Sequence, residues 1–230
     1  HPVYILFSSG TTGKPKCIVH GAGGTLLQHL KELGLHSNID KNDNFCFYTT
    51  CGWMMWNWMI SGLALGATLT LYEGSPTYPD AYRLFQLLDE EKVTVFGTSA
   101  KFISSVEKLE AKPSKHYSLK HLKTILSTGS PLLPQNYDFV YQHIKADVQL
   151  ASISGGSDII SCFALGNPIL PVFRGELQCL GLGMDVKVFN EEGNAVTAER
   201  GELVCTNVFP SMPVSFWNDP EKRKYRQAYF

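Results

Sequence analysis

The sequence has no surplus of either charge. Twenty Lys and Arg stand against 21 Asp and Glu, a net of −1 over 230 residues. Without a basic stripe there is no electrostatic footprint for a phosphate backbone, so no nucleic-acid partner is expected. Paired cysteines are lacking too, because the six present are scattered without metal-type spacing. A chain of this length buries a core without cross-links, so reduced, buried thiols in a cytoplasmic setting are the expectation. No signal-type segment opens the chain, and no methionine does either; His1 reads as the start of a piece of a longer protein. Repeats and low-complexity stretches are absent as well.

One long stretch, residues 45–72, lacks charge altogether. A run of that length can mimic a membrane span. Asn57, Ser61, several threonines and Gly52, Gly62 and Gly66 interrupt it, residues 68–72 alternate like a strand, and no Lys/Arg cluster flanks it. The reading is a buried strand, helix and strand, with no membrane span.

What the sequence does have is residues 8–16, Ser-Ser-Gly-Thr-Thr-Gly-Lys-Pro-Lys, directly after the apolar run 3–7. Gly10 and Gly13 allow backbone amides to approach an anion closely, while Ser8, Ser9, Thr11, Thr12, Lys14 and Lys16 add donors and positive charge. That is the chemistry of a polyphosphate cradle. It is not the Gly-x-x-x-x-Gly-Lys-Ser/Thr loop, because the spacing differs and Pro15 removes an amide donor. A plain turn between two strands is the alternative, since residues 17–20 read as a second strand.

Helical spacing appears at Leu26, Leu27, Leu30 and Leu33, and at Ala81, Leu84, Phe85 and Leu88. It recurs at Phe102, Ile103, Val106 and Leu109, then at Tyr137, Val140, Tyr141 and Ile144, with Pro134 suited to a first turn. Between these lie β-rich runs at 45–48, 68–72, 93–96, 124–126 and 148–153. Strands alternating with helices predict an α/β fold, a mostly parallel β-sheet flanked by helices. Beyond Arg174 helical periodicity stops, and 175–179, 185–189 and 202–205 read as strands around a turn at 191–194. The expected division is an α/β nucleotide-binding subdomain at 1–172 and a small, incomplete β-rich subdomain at 173–230.

Ligands in open α/β sheets sit outside the carboxyl ends of the strands. The loops expected there are 8–16, 49–53, 97–99, 127–131 and 154–158, all rich in Gly, Ser or Thr. Near them lies an aromatic and methionine block, residues 53–58, readable as core or as pocket wall. His29 and His36 are spaced poorly for a shared metal, so a solvated face is expected. Residues 222–224 read as an exposed basic turn, and Cys51 has no identifiable histidine partner.

Residues 4–16 are similar to the phosphate loop of the adenylate-forming enzymes, which include acyl-CoA synthetases, luciferases and peptide-synthetase adenylation domains. His20-Gly21, residues 48–57, Glu73-Gly74-Ser75-Pro76 and segments 127–132, 151–158 and 201–230 continue the likeness in order, with the acyl-CoA synthetase branch nearest. The resemblance implies an AMP-forming acid–thiol ligase using ATP, Mg2+ and coenzyme A. Acetoacetate is the acid it implies, with acetate or propionate, or a non-catalytic nucleotide-binding module, as alternatives.

Carried over position by position, the resemblance gives Ser8, Ser9, Gly10, Thr11, Thr12, Gly13 and Lys16 to the phosphates, with Lys16 also catalytic. Gly129, Ser130 and Pro131 would lie against adenine, and Ser152 and Ser154 would face the nucleotide. Ser157 would donate to the α-phosphate as a catalytic group, and Asp158 would hold the metal. Asp158 stands where the wider family has Glu, and Ser154 where it has Tyr. Trp53, Met54, Met55, Thr128 and Gly155 match acid-pocket positions. Acetyl-CoA synthetases carry Trp at the position of Gly155, so glycine is expected to open depth for a four-carbon acid, and the Thr128 hydroxyl to bond its ketone. The ribose-binding aspartate and a smaller lysine-bearing domain would follow position 230.

Overall fold

The computed structural model describes residues 1–8 and 15–230. Its centre is a five-stranded parallel sheet of order β4-β3-β5-β6-β7, formed by β3 (Asn44–Phe47), β4 (Thr68–Leu69), β5 (Val95–Ser99), β6 (Thr124–Thr128) and β7 (Gln149–Ser152). The central strands carry buried apolar residues on both faces because both faces are covered. Phe96, Ile125 and Leu150 face one layer, made by α3 (Arg83–Glu90), α4 (Ala100–Lys108) and α5 (Pro134–Phe139). Phe45, Val95, Leu126 and Ala151 face the other, where α2 (Met54–Ile60) brings Met55 and Trp58. Phe47 lies opposite Gly97 in the register, and a Cβ on Gly97 would stand 2.0 Å from the Phe47 ring. Only glycine fits beneath that ring.

Helix starts follow local chemistry. The Ser99 hydroxyl accepts from the Phe102 amide at 3.1 Å and caps α4. Pro134 occupies the first turn of α5, as expected. The uncharged run 45–72 folds as strand, helix and short strand, and among the described residues no helix is long and apolar enough to cross a membrane.

Several expectations need correction. The loop 8–16 does not follow a strand of the parallel sheet. It joins β1 (Pro2–Ser8) to β2 (Lys16–Gly21), an antiparallel pair in a separate sheet with β14 (Ser215–Phe216). Residues 97–99 belong to β5 itself rather than to a loop. Of 175–179 only Cys179 is in a strand, β10 (Cys179–Leu180), which pairs with β9 (Ser161–Leu165) beside β8 (Ser154–Gly156). That three-stranded sheet spans position 172. Beyond it lie β11 (Val186–Phe189), β12 (Ala195–Val196) and β13 (Glu202–Cys205), and α6 (Arg223–Tyr229) rather than a basic turn.

The largest departure concerns α1 (Ala22–Leu30) and its wider continuation, Lys31–His36. Leu26 and Leu27 are exposed, and the buried face is Thr25, Gln28, His29, Glu32, Leu33 and His36. His29 and His36 are therefore interior, not solvated. The physical reason is that this face meets carbonyls and hydroxyls of segment 160–166 and Ser61, so polar side chains are satisfied there. His29 Nε2 donates to the Ile160 carbonyl at 2.7 Å, and its Nδ1 lies 2.8 Å from the Ser61 hydroxyl. His36 Nδ1 donates to the Gly166 carbonyl at 2.8 Å, and its Nε2 accepts from the Leu182 amide at 3.1 Å.

Candidate functional site

At the carboxyl ends of β6 and β7 lies a cavity of about 530 Å³. β6 delivers Thr128 to its wall, and the chain then turns through Gly129, whose φ of +85° favours glycine, to Ser130 and Pro131. β7 and β8 deliver Ser152, Ser154, Gly155 and Ser157, and the start of α2 delivers Trp53, Met54 and Met55. Trp53 packs closely on Gly129, where an added Cβ would stand 3.4 Å from the indole. Met54 and Met55 are buried and also line the cavity, so the block is core and wall together. A partly open cavity with apolar walls and a few convergent hydroxyls is the usual form of a small-molecule site.

Lys16 and Asp158 lie beside this cavity, not on its wall. Lys16 Nζ is 3.2 Å from Asp158 Oδ1, and both side chains are about a third exposed, at 32% and 35%. The Tyr229 hydroxyl donates to the same Oδ1 at 2.6 Å, and Lys16 sits 5.0 Å from the Tyr229 ring centroid. Burial, aided by the facing carboxylate, pushes the Tyr229 phenol above its usual pKa, which keeps the donating proton in place. Asp158 instead lines a second cavity of about 460 Å³. Ser8 ends β1 directly opposite Lys16 in the hairpin register. Ser9, Gly10, Thr11, Thr12 and Gly13 lie outside the described residues.

Behind Ser157 stands His20, fully buried on β2, with Nε2 donating to the Ser157 carbonyl at 3.0 Å. Burial lowers its pKa, so the ring is a neutral strut between β2 and the segment bearing Ser157.

Two residues expected in the acid pocket, Thr128 and Gly155, line the cavity and also hold the fold together there. The Thr128 hydroxyl already donates to the Ile153 carbonyl at 3.0 Å, so its proton is committed and only its oxygen lone pairs face outward. A ketone, which only accepts, gains nothing from that. At Gly155 an added Cβ would stand 2.2 Å from the Ser161 carbonyl oxygen, inside the β8–β9 pairing. The missing side chain therefore serves strand approach, and Gly155 also lines the cavity.

Sequence reasoning missed several residues here. Ser161, Cys162, Tyr137 and Glu176 line the cavity. The Tyr137 hydroxyl donates to the Glu176 carbonyl at 2.8 Å, and Arg174 clamps Asp138 in a bidentate pair, Nε to Oδ1 and Nη2 to Oδ2, each at 2.9 Å. Burial drives the Cys162 thiol well above its normal pKa, as it does Cys46, pushed up to about 12, which favours the protonated thiol at both. Nothing local in the sequence marks Tyr137 or Glu176. The polar spacing 25, 28, 29, 32, 36 is a helical stripe, and it was a legible sign of the buried face behind Ser161.

A family model described as AMP-binding enzyme matches residues 1–209. Over all 230 residues the chain is 61% identical to the acetoacetyl-coenzyme A synthetase of Rhizobium meliloti (strain 1021), covering 35% of that protein. It is 54% identical to the acetoacetyl-CoA synthetase of Gallus gallus over the same span, covering 34% of it. A solved structure of the acetoacetyl-CoA synthetase from Streptomyces lividans matches with a TM-score of 0.94 and 45% identity, over 100% of this chain and 36% of that one. The chain thus spans about a third of the length of these relatives.

Proposed function

The chain belongs to the AMP-binding enzyme family, and from that premise we propose that it is the nucleotide- and acid-binding part of a ligase that activates acetoacetate. In the first half-reaction an acetoacetate oxygen bonds to the α-phosphorus of ATP while the bond to pyrophosphate breaks, giving an acyl-adenylate. In the second, the thiol of coenzyme A attacks the acyl carbonyl, AMP leaves, and the thiol proton passes to solvent. The observation that carries this reading is the convergence of both expected subsites on one cavity, in a chain 44–61% identical to acetoacetyl-CoA synthetases along its whole length.

The residue roles are part of the proposal. Residues 129–131 offer a turn for adenine, and Trp53, Met54 and Met55 an apolar wall for the acid. Ser157 donates to the α-phosphate, and loop 8–16 with Lys16 neutralises the phosphates. Such a reaction depends on alignment and charge stabilisation more than on proton transfer. Mg2+ takes one or two carboxylates plus substrate phosphates, so a single carboxylate near the phosphates would be enough to hold it. Asp158 fits that part, because its contacts with Lys16 and Tyr229, among the described residues, both fall on Oδ1. Bound there, Mg2+ would offset phosphate charge. Six free cysteines support a reducing, cytoplasmic setting.

The test is product stoichiometry with the full-length protein. Acetoacetate, ATP and coenzyme A should yield acetoacetyl-CoA, AMP and pyrophosphate in equal amounts. ADP with phosphate, or turnover of acetate in preference to acetoacetate, would contradict the proposal.

A further inference from the structure

Glu32 is fully buried, yet it is charged chemistry placed one layer behind the cavity. Every group that meets its two oxygens is a donor, which is the arrangement a carboxylate requires. Oε2 accepts from the Trp58 indole N–H at 2.8 Å. Oε1 accepts from the Ser161 hydroxyl at 2.5 Å, the Cys162 amide at 3.1 Å, Gln28 Nε2 at 3.2 Å and Lys31 Nζ at 3.4 Å. One oxygen thus reaches residues that line the cavity, and the other reaches the helix that brings further lining residues to it. Trp58 lies on α2, one turn beyond the wall residue Met54, and Ser161 and Cys162 line the cavity from β9.

We propose that Glu32 is a positioning residue that sets the spacing of the acid pocket by clamping α2 to β9. The inference rests on the reading that this cavity takes the acid. A buried carboxylate is a poor way to gain stability, since apolar groups of equal volume usually do as well. What it adds is direction. One rigid, planar group fixes the Trp58 N–H and the Cys162 N–H relative to each other, and neither donor can shift without losing a charge-assisted bond. Trp58 passes the constraint on through edge-to-face contact with Phe47 at 6.4 Å, and Phe47 meets Trp53 at 6.0 Å. Ser161 passes it on through its carbonyl, against which Gly155 packs. The nucleotide side of the cavity, residues 129–131, takes no bond from Glu32, so acid binding and ATP binding should respond differently.

The experiment uses full-length protein carrying Glu32→Gln or Trp58→Phe, each checked for thermal unfolding, with acid-dependent pyrophosphate–ATP exchange as the activity. Glu32→Gln forces an amide NH2 against another donor, so the KM for acetoacetate should rise about tenfold while the KM for ATP stays within about twofold. Trp58→Phe removes a single bond and should raise the acid KM about threefold. Amide hydrogen exchange should accelerate in Glu32→Gln at both 54–58 and 161–162. Equal rises in both KM values with a matching loss of thermal stability would overturn the proposal, as would faster exchange confined to 28–36. Should Glu32→Gln fail to fold, a folded Trp58→Phe with unchanged acid KM overturns it. If wild-type protein shows no acid-dependent exchange, the functional reading fails, and hydrogen exchange at the two walls alone decides the clamp.

Discussion

Lys16 and Asp158, 142 positions apart, hold each other beside the cavity. If they serve the adenylation step, their loss should be felt there first. In full-length protein, Lys16→Ala and Asp158→Asn should each slow acid-dependent pyrophosphate–ATP exchange about 100-fold, the scale of removing one preorganised electrostatic contact. Thioester formation from preformed acyl-adenylate should fall much less; equal losses in both half-reactions would assign the pair a structural role. Thr128 leads to the opposite expectation. Its proton is committed to the Ile153 carbonyl, so Thr128→Val should cost about 1 kcal/mol of stability through the orphaned acceptor. The preference for acetoacetate over butyrate should hardly move, and a large drop in that kcat/KM ratio would show that the hydroxyl turns toward substrate. The residue types at these positions were legible from the motifs, but their hydrogen-bond commitments were not. Whether a threonine proton is free depends on where the neighbouring strand places its carbonyl.

At the scale of elements, α1 and its continuation carry the clearest physical signature. His29 and His36 are buried, burial lowers both pKa values, and each ring nitrogen has a neighbour that suits the neutral form. The charged groups facing them are Glu32 and Lys31. Below an unfolded pKa of about 6.5 the unfolded chain binds protons that the folded chain refuses, so stability falls as pH drops. The slope is up to about 1.4 kcal/mol per pH unit for each histidine, until the lowered folded values are passed. The thermal midpoint should therefore decline between about pH 6.5 and 5.5 and be flat above about pH 7.5 with respect to these groups; an unchanged midpoint across the lower window would contradict the assignment. This helix also shows why apolar spacing misleads. Leu26 and Leu27 stand at helical positions but point outward, because the inner face is satisfied by the polar backbone of β9 and its flanks. The helices α3 and α4 were legible for the converse reason: Leu84, Phe85, Leu88, Phe102, Ile103 and Val106 pack on an apolar sheet face, where burial and hydrophobicity coincide.

Across the whole molecule, the doubly covered parallel sheet was readable because strands that alternate with helices must be joined by crossovers, which sets neighbouring strands parallel. The placement of loop 8–16 was not, since a strand, a loop and a strand look alike whether they cross a sheet or fold back as a hairpin. Only the pairing of β2 with both β1 and β14 settles that. The consequence is a cavity and a neighbouring ion pair drawn from three sheets. The hairpin brings Lys16 toward Asp158, while the cavity walls come from β6, β7 and α2 and from the β8–β9 pair. The most direct measurement of the central claim is a crystal structure of the full-length protein with an unreactive sulfamoyl analogue of acetoacetyl-adenylate. The account predicts its adenine against residues 129–131, its acyl group against Trp53, Met54 and Met55, and its sulfamoyl group beside Ser157. An analogue seated in the second cavity, among Asp158, Tyr225 and Tyr229, would contradict it.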